Sequence, residues 1–226
     1  VDKTCSASQS YLANHKENIL KQPIRRSLLV GAASLIAMRP VVALSQNAAS
    51  EVATAGKLLA AVPSLGERSL GGAAAKVVMI EYASVTCTYS AAFNETVWPG
   101  LRRDFVETGK LRVIFREFPM DKLALSASML ARCTPEKNYF STIDFMFQRQ
   151  KLWRGRDAGK QLFQILQLSG MTESQFTACV ENESIGRPIL ESAQYARKVF
   201  GVRATPTFFI NGNMIDGKKD QMAVRA

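Results

Sequence analysis

Val77-Val-Met-Ile-Glu-Tyr-Ala-Ser-Val-Thr-Cys87-Thr-Tyr-Ser90-Ala-Ala-Phe93 is the stretch on which the reading of this chain turns. Its first six residues, Val77 to Tyr82, form an apolar run of the length and composition of a buried strand. A short turn over Ala83 to Thr86 follows. Cys87 then stands at the start of a segment with helical spacing, in which Phe93, Val97, Leu101 and Phe105 recur every four residues. A cysteine at the first turn of a helix lies beside unpaired backbone N–H groups and the positive end of the helix dipole. Both favour the thiolate, which is the nucleophilic form of the residue. Strand, turn, cysteine and helix in that order are a recipe for a reactive sulfur.

A second stretch lies far off in sequence. Ala204-Thr205-Pro206-Thr207-Phe208-Phe209-Ile210-Asn211-Gly212 places a proline at the head of an apolar run, where proline suits the first residue or the edge of a strand. Between the two, Phe115-Arg116-Glu117-Phe118-Pro119 follows the helix. With Ile80 to Ser84 before the cysteine, these segments fall in the order of the DsbA-like branch of the thioredoxin superfamily, which the chain resembles over residues 63 to 217. The resemblance implies an α/β protein: a thioredoxin fold with an inserted helical domain. It also implies a cis bond between Thr205 and Pro206, with that loop packed on the active-site sulfur and its backbone holding a substrate peptide in extended form.

The chain departs from the family pattern at the motif itself. The family has Cys-x-x-Cys, usually Cys-Pro-His-Cys; here it is Cys87-Thr88-Tyr89-Ser90. The resolving cysteine is a serine and the histidine is a tyrosine. With two cysteines the first attacks a substrate and the second resolves the mixed disulfide. With Ser90 in the second place, Cys87 can still attack a disulfide, but an outside thiol must release the product. The Ser90 hydroxyl is available to hydrogen-bond the thiolate. Glu81, six residues before Cys87, matches the position of a buried acid that influences proton movement in DsbA-like proteins; a carboxylate on the exposed face of the strand is the alternative.

The chain has 226 residues and a formal net charge of +10. Residues 1 to 45 hold six Lys/Arg and two Asp/Glu, which leaves 23 against 17, or +6, for the rest. No basic cluster is interleaved with aromatics in a nucleic-acid pattern. The only histidine is His15, inside the leader, so the remainder cannot run Ser-His or Cys-His catalysis and lacks the commonest zinc ligand. No metal and no cofactor is expected.

Along the chain, residues 1 to 45 read as a leader. Lys21-Gln-Pro-Ile-Arg25-Arg26 is a positive region, Ser27 to Met38 is apolar, and Ala43-Leu44-Ser45 offers small residues for cleavage. The apolar run is interrupted by Arg39 and Pro40 and is short for a membrane span. Residues 46 to 72 are expected as a linker and lead-in, 73 to 120 as the first half of the thioredoxin-like domain, with a break at Trp98-Pro99. Residues 121 to 183 are the helical insertion, with helices over Leu123 to Cys133, Tyr139 to Gln150 and Gln161 to Leu168. A fourth begins at Thr172, whose partner three residues on is Gln175. The aromatic stripe Tyr139, Phe140, Phe145 and Phe147 reads as core. Residues 184 to 226 are the second half, opened by a long helix from Glu183 to Phe200 and carrying a two-residue hairpin turn at Asn211-Gly212; the family's final helix is missing after Gly217.

Cys133 and Cys179 both fall in the insertion. Two cysteines in an exported protein pair by default, and some DsbA-like proteins of alphaproteobacteria carry a structural bond at similar places. The alternative is that one of the two resolves a mixed disulfide at Cys87. The functional expectation is an exported, periplasmic thiol-disulfide oxidoreductase or isomerase acting through one thiol. Its partners are cysteine-containing or unfolded exported proteins, with glutathione or a membrane redox protein as the outside thiol. Two alternatives stand beside it: a redox-inactive peptide-binding chaperone or adaptor, and a glutathione-dependent transferase or isomerase of the same fold. The latter's catalytic serine would fall at the position held by Cys87.

Overall fold

The protein is described from a computed structural model, over residues 56–61 and 63–216. The leader over residues 1 to 45 and the segment after Gly217 lie outside the described residues.

The strand expected at 77–82 is β2, Val77–Ala83, and it sits at the centre of a five-stranded sheet. The order is β1 (Arg68–Leu70), β3 (Leu111–Glu117), β2, β4 (Thr207–Ile210), β5 (Asn213–Asp216). β2 runs parallel to β3 and antiparallel to β4, with Glu81 opposite Phe115 on one side and Phe208 on the other. Because side chains alternate along a strand, β2 feeds two cores. Met79 packs with Phe93, Val97, Trp98 and Phe208 on one face, while Ile80 and Tyr82 pack with Ala193, Ala196 and Phe209 on the other. Glu81 shares the face of Met79. Asn211 and Gly212 both take positive φ, 48° and 93°, which is the backbone of a two-residue hairpin whose twist suits β4 and β5. The turn is also latched to β2, because Asn211 Oδ1 accepts from the Val78 amide at 2.9 Å.

Part of the segment expected as a linker belongs to the domain. Helix α1, described over 56–60, buries Leu58 against Ile80 and Ile114, and β1 pairs antiparallel with β3. Arg116, only 1 % exposed, explains the closure. Its guanidinium donates to the Leu58 carbonyl, to Glu67 Oε1 and to Tyr82 Oη at 2.7 to 2.9 Å, and a buried cation demands that many acceptors. Gly71 lets the chain pass: at φ 92° a Cβ there would meet the Leu111 carbonyl oxygen at 2.3 Å.

The helix after Cys87 is broken where Trp98-Pro99 suggested. Helix α2 is Thr88–Thr96, α3 is Trp98–Leu101, and a π turn, Arg102–Val106, completes it. That wider turn shifts the apolar phase by one residue. Phe93, Val97 and Leu101 are buried as their spacing predicts, but Val106 takes the inward place and Phe105 is exposed. The insertion comprises α4 (Lys122–Cys133), α5 (Tyr139–Gln148), α6 (Gln150–Trp153), α7 (Ala158–Gln167) and α8 (Glu173–Val180), packed around Leu130, Tyr139, Phe147, Trp153 and Leu166. The helix read as one piece to Gln150 is thus divided at Arg149, and Gln150 opens α6. Thr172 and Gln175 form the reciprocal cap of α8. Helix α9, Glu183–Val199, returns to the sheet.

Candidate functional site

Cys87 is the residue immediately before α2, with extended backbone at φ −79° and ψ 126°. Its carbonyl already accepts the first helical bond, from Ala91 at 3.1 Å, so the side chain stands over the first turn. That turn contains no acidic residue and no side chain caps it. The N-terminal end of the helix dipole therefore biases the site toward negative charge. The sulfur is half-buried, and Cys87 is the one free cysteine among the described residues. Its Sγ donates to the Thr205 carbonyl oxygen at 3.1 Å. The Thr205–Pro206 bond is cis, and both residues are buried. Two stretches 118 residues apart thus meet at one atom.

The other motif residues are disposed around this pair. Thr88 is exposed and Tyr89 half-buried. Ser90 is fully buried, and its Oγ has no hydrogen-bond partner. In this thiol form the sulfur donates to Thr205, and the Ser90 hydroxyl makes no bond to it.

Glu81 is 6 % exposed, which removes the exposed-face reading. Burial, reinforced by the neighbouring Asp144 carboxylate, raises its pKa from the ordinary 4.5 to about 8, so it carries a proton at neutral pH. Asp144, on α5, is itself pushed up by burial. It accepts from Asn94 Nδ2 at 2.8 Å, also from Trp98, and lies 3.7 Å from Arg102 Nη1. Asn94 is seven residues after Cys87, on the same face of α2 as Ser90. Its Oδ1 is buried and unpartnered too.

Several residues that shape the site escape sequence reading. Gln150 Nε2 donates to the Val85 and Cys87 carbonyls at 2.8 and 3.0 Å, which fastens the insertion to the cysteine loop. Thr86 Oγ1 donates to Asp121 Oδ2 at 2.7 Å, and Asp121 also caps α4 through the Ala124 amide. Behind the loop, Glu117 is buried between Arg132 and Tyr139, which both donate to it. Arg132 also donates to the Leu65 and Gly66 carbonyls. No periodicity marks such pairs; the only sign was polar residues inside otherwise apolar segments.

Cys133 and Cys179 are bonded to each other, with Cα atoms 6.3 Å apart. A cleft of about 430 Å³ opens beside that bond, lined in part by Met171 and Gln175 and not by Cys87. Among the described residues no cluster of His, Cys, Asp and Glu is arranged to hold a metal. No helix there is long and apolar enough to cross a membrane.

Comparison with known proteins agrees with this architecture. The Thioredoxin family profile matches residues 64–226. A Rickettsia bellii protein bearing the name protein-disulfide oxidoreductase is 32% identical over 145 residues, which is 63% of this chain and 56% of that protein; the chain spans about half the length of the curated relatives it matches. The crystal structure of Wolbachia pipientis alpha-DsbA1 superposes with a TM-score of 0.63 at 31% identity, over 73% of this chain and 85% of that one. Bacillus subtilis BdbD shares the fold at 18% identity and a TM-score of 0.62, over 73% of this chain and 92% of its own. On its sheet order, its helical insertion and these likenesses, the chain belongs to the thioredoxin family, among its DsbA-like members.

Proposed function

We propose that the protein is a thiol-disulfide oxidoreductase or isomerase that works on the cysteines of exported proteins through Cys87 alone. One observation carries this reading: a free, half-buried sulfur at an uncapped helix N-terminus, 3.1 Å from the Thr205 carbonyl, with a serine at the place where a resolving thiol would stand. In the first step the Cys87 thiolate attacks one sulfur of a substrate disulfide. A Cys87–substrate bond forms, the substrate's own S–S bond breaks, and the departing sulfur leaves as a thiolate that takes up a proton. A second thiol, from the substrate or from glutathione, then attacks the mixed disulfide and returns Cys87. A substrate thiol gives isomerisation with no net oxidation; an outside thiol gives exchange, and a membrane redox protein is a further partner of this kind.

The roles follow the placement. The Thr205–Pro206 loop aligns the substrate backbone beside the sulfur. Ser90, buried one turn inward with an unused hydroxyl, donates to the sulfur once it ionises. Glu81, protonated at neutral pH, serves as the buried proton reservoir of the site. Thr88 and Tyr89 form its rim. Cys133 and Cys179 hold the insertion together. The location that fits is the periplasm, reached through the leader.

The test is trapping on the full chain. It is mixed with glutathione disulfide and with an oxidised peptide, quenched in acid and mapped without reduction. The expected result is an adduct on Cys87, lost in Cys87→Ser, with the Cys133–Cys179 bond intact. A folded protein whose Cys87 stays free under these conditions sinks the exchange reading.

A further inference from the structure

The segment Arg149-Gln-Lys151-Leu-Trp-Arg-Gly-Arg156-Asp157 carries four cations and one acid, Asp157. It contains helix α6, and its two inward residues fix where the rest must lie. Gln150, 4 % exposed, is bonded to the carbonyls of Val85 and Cys87. Trp153, fully buried, donates its indole N–H to the Met146 carbonyl at 2.8 Å. With those two side chains anchored inside, Arg149, Lys151, Leu152 and Arg156 are left exposed. Arg149 and Lys151 are the chain neighbours of the residue that touches the Cys87 backbone. Arg203, also exposed, precedes Thr205 by two residues. Asp121, tied to the same loop through Thr86 and the Ala124 amide, keeps its negative charge there and offsets one of these cations. Exposed cations thus adjoin, along the chain, both segments that touch Cys87: the one that bonds its carbonyl and the one that bonds its sulfur.

On the reading of Cys87 as an exchange thiol, we infer that this basic rim selects disulfides flanked by acidic residues on an extended peptide. The step is the one written above: the Cys87 thiolate displaces one sulfur of the peptide disulfide. The rim attracts carboxylates on either side of the reacting cysteine during approach, so the effect falls on the rate of mixed-disulfide formation. A cationic rim also lessens the repulsion between an anionic peptide and the attacking thiolate.

Three pentapeptide disulfides test this, identical except that the cysteine is flanked by aspartate, glycine or lysine. Each is reacted with the full chain, and the rate of Cys87 adduct formation is read by quenched peptide mapping. Taking two or three cations as acting at about 10 Å, the aspartate peptide is expected to react roughly fivefold faster than the glycine peptide at low salt. The lysine peptide should be roughly fivefold slower, and both differences should collapse near 1 M salt. In Lys151→Glu/Arg156→Glu the order of the charged peptides is expected to reverse while the glycine peptide keeps its rate. Equal rates for all three peptides with the unaltered protein, or a preference for lysine, overturn the inference and leave the exchange reading standing. Failure of all three to modify Cys87 overturns both. The salt series on the unaltered chain decides the matter even where the double variant does not fold.

Discussion

Replacing Glu81 by glutamine should remove about 3 to 4 kcal/mol of the stability that the unaltered protein loses as pH rises from 5 to 8. The carboxyl is 6 % exposed and holds its proton to about pH 8, against an ordinary 4.5. Between those values the folded chain keeps a proton that the unfolded chain has released, so stability falls as pH rises. The contribution is fully present below about pH 4.5 and is lost by the time pH has passed 8. Each unit corresponds to about 1.4 kcal/mol, and allowing for partial titration at both ends, about 3 to 4 kcal/mol disappears between pH 5 and pH 8. Glutamine copies the shape of the neutral acid but has no proton to lose. Asp144, shifted in the same sense, remains in both proteins, so the difference between them isolates Glu81. The assay is guanidinium unfolding at pH 5, 6.5 and 8, followed by the fluorescence of Trp98 and Trp153, both buried. If the gap between Glu81→Gln and the unaltered protein is the same at all three values, the buried, protonated carboxyl is refuted.

Ser90→Cys should place a second thiol one helical turn from Cys87, and under glutathione disulfide the two should close a bond, seen as loss of two hydrogens in an intact-mass measurement; two free thiols in a folded variant would contradict the placement. Arg132→Met should leave the Glu117 carboxylate buried beside Tyr139 without its cation, a loss of about 3–5 kcal/mol by chemical unfolding. Thr172→Ala removes the reciprocal cap of α8 and should cost about 1 kcal/mol, with the rate of Cys87 adduct formation unchanged.

The parts of this molecule that could be read from sequence are those whose physics is local. Val77 to Tyr82 declares a central strand because both of its faces are apolar. Asn211-Gly212 declares a tight turn because few residues accept positive φ twice in succession. Thr172 and Gln175 declare a helix start because their bonds close within four residues. The meeting of Cys87 with Thr205 came only through resemblance, since nothing local links residues 118 apart. Gln150 was beyond reach for the same reason: its partners lie 63 and 65 residues earlier, and a glutamine inside a helical pattern looks like any surface residue. Asp144 and Arg132 were hidden likewise, as their partners sit on other elements. The π turn at Arg102–Val106 has no sequence mark at all, and a strict four-residue spacing therefore assigned Phe105 the inward place that Val106 occupies.

The ends of helices sort the cysteine sulfurs of the described residues into two kinds. Cys87 stands ahead of α2, whereas Cys133 closes α4 and Cys179 lies in the last turn of α8. A sulfur expelled from the Cys133–Cys179 bond would have to leave as an anion among carbonyl oxygens at the negative end of a helix; Cys179 would do so 3.2 Å from the Met129 carbonyl and almost out of contact with water. Leaving groups so placed depart slowly. In a medium rich in thiols and disulfides, exchange at the Cys133–Cys179 bond is therefore disfavoured, copies of the chain do not cross-link through these two sulfurs, and the insertion keeps its clasp.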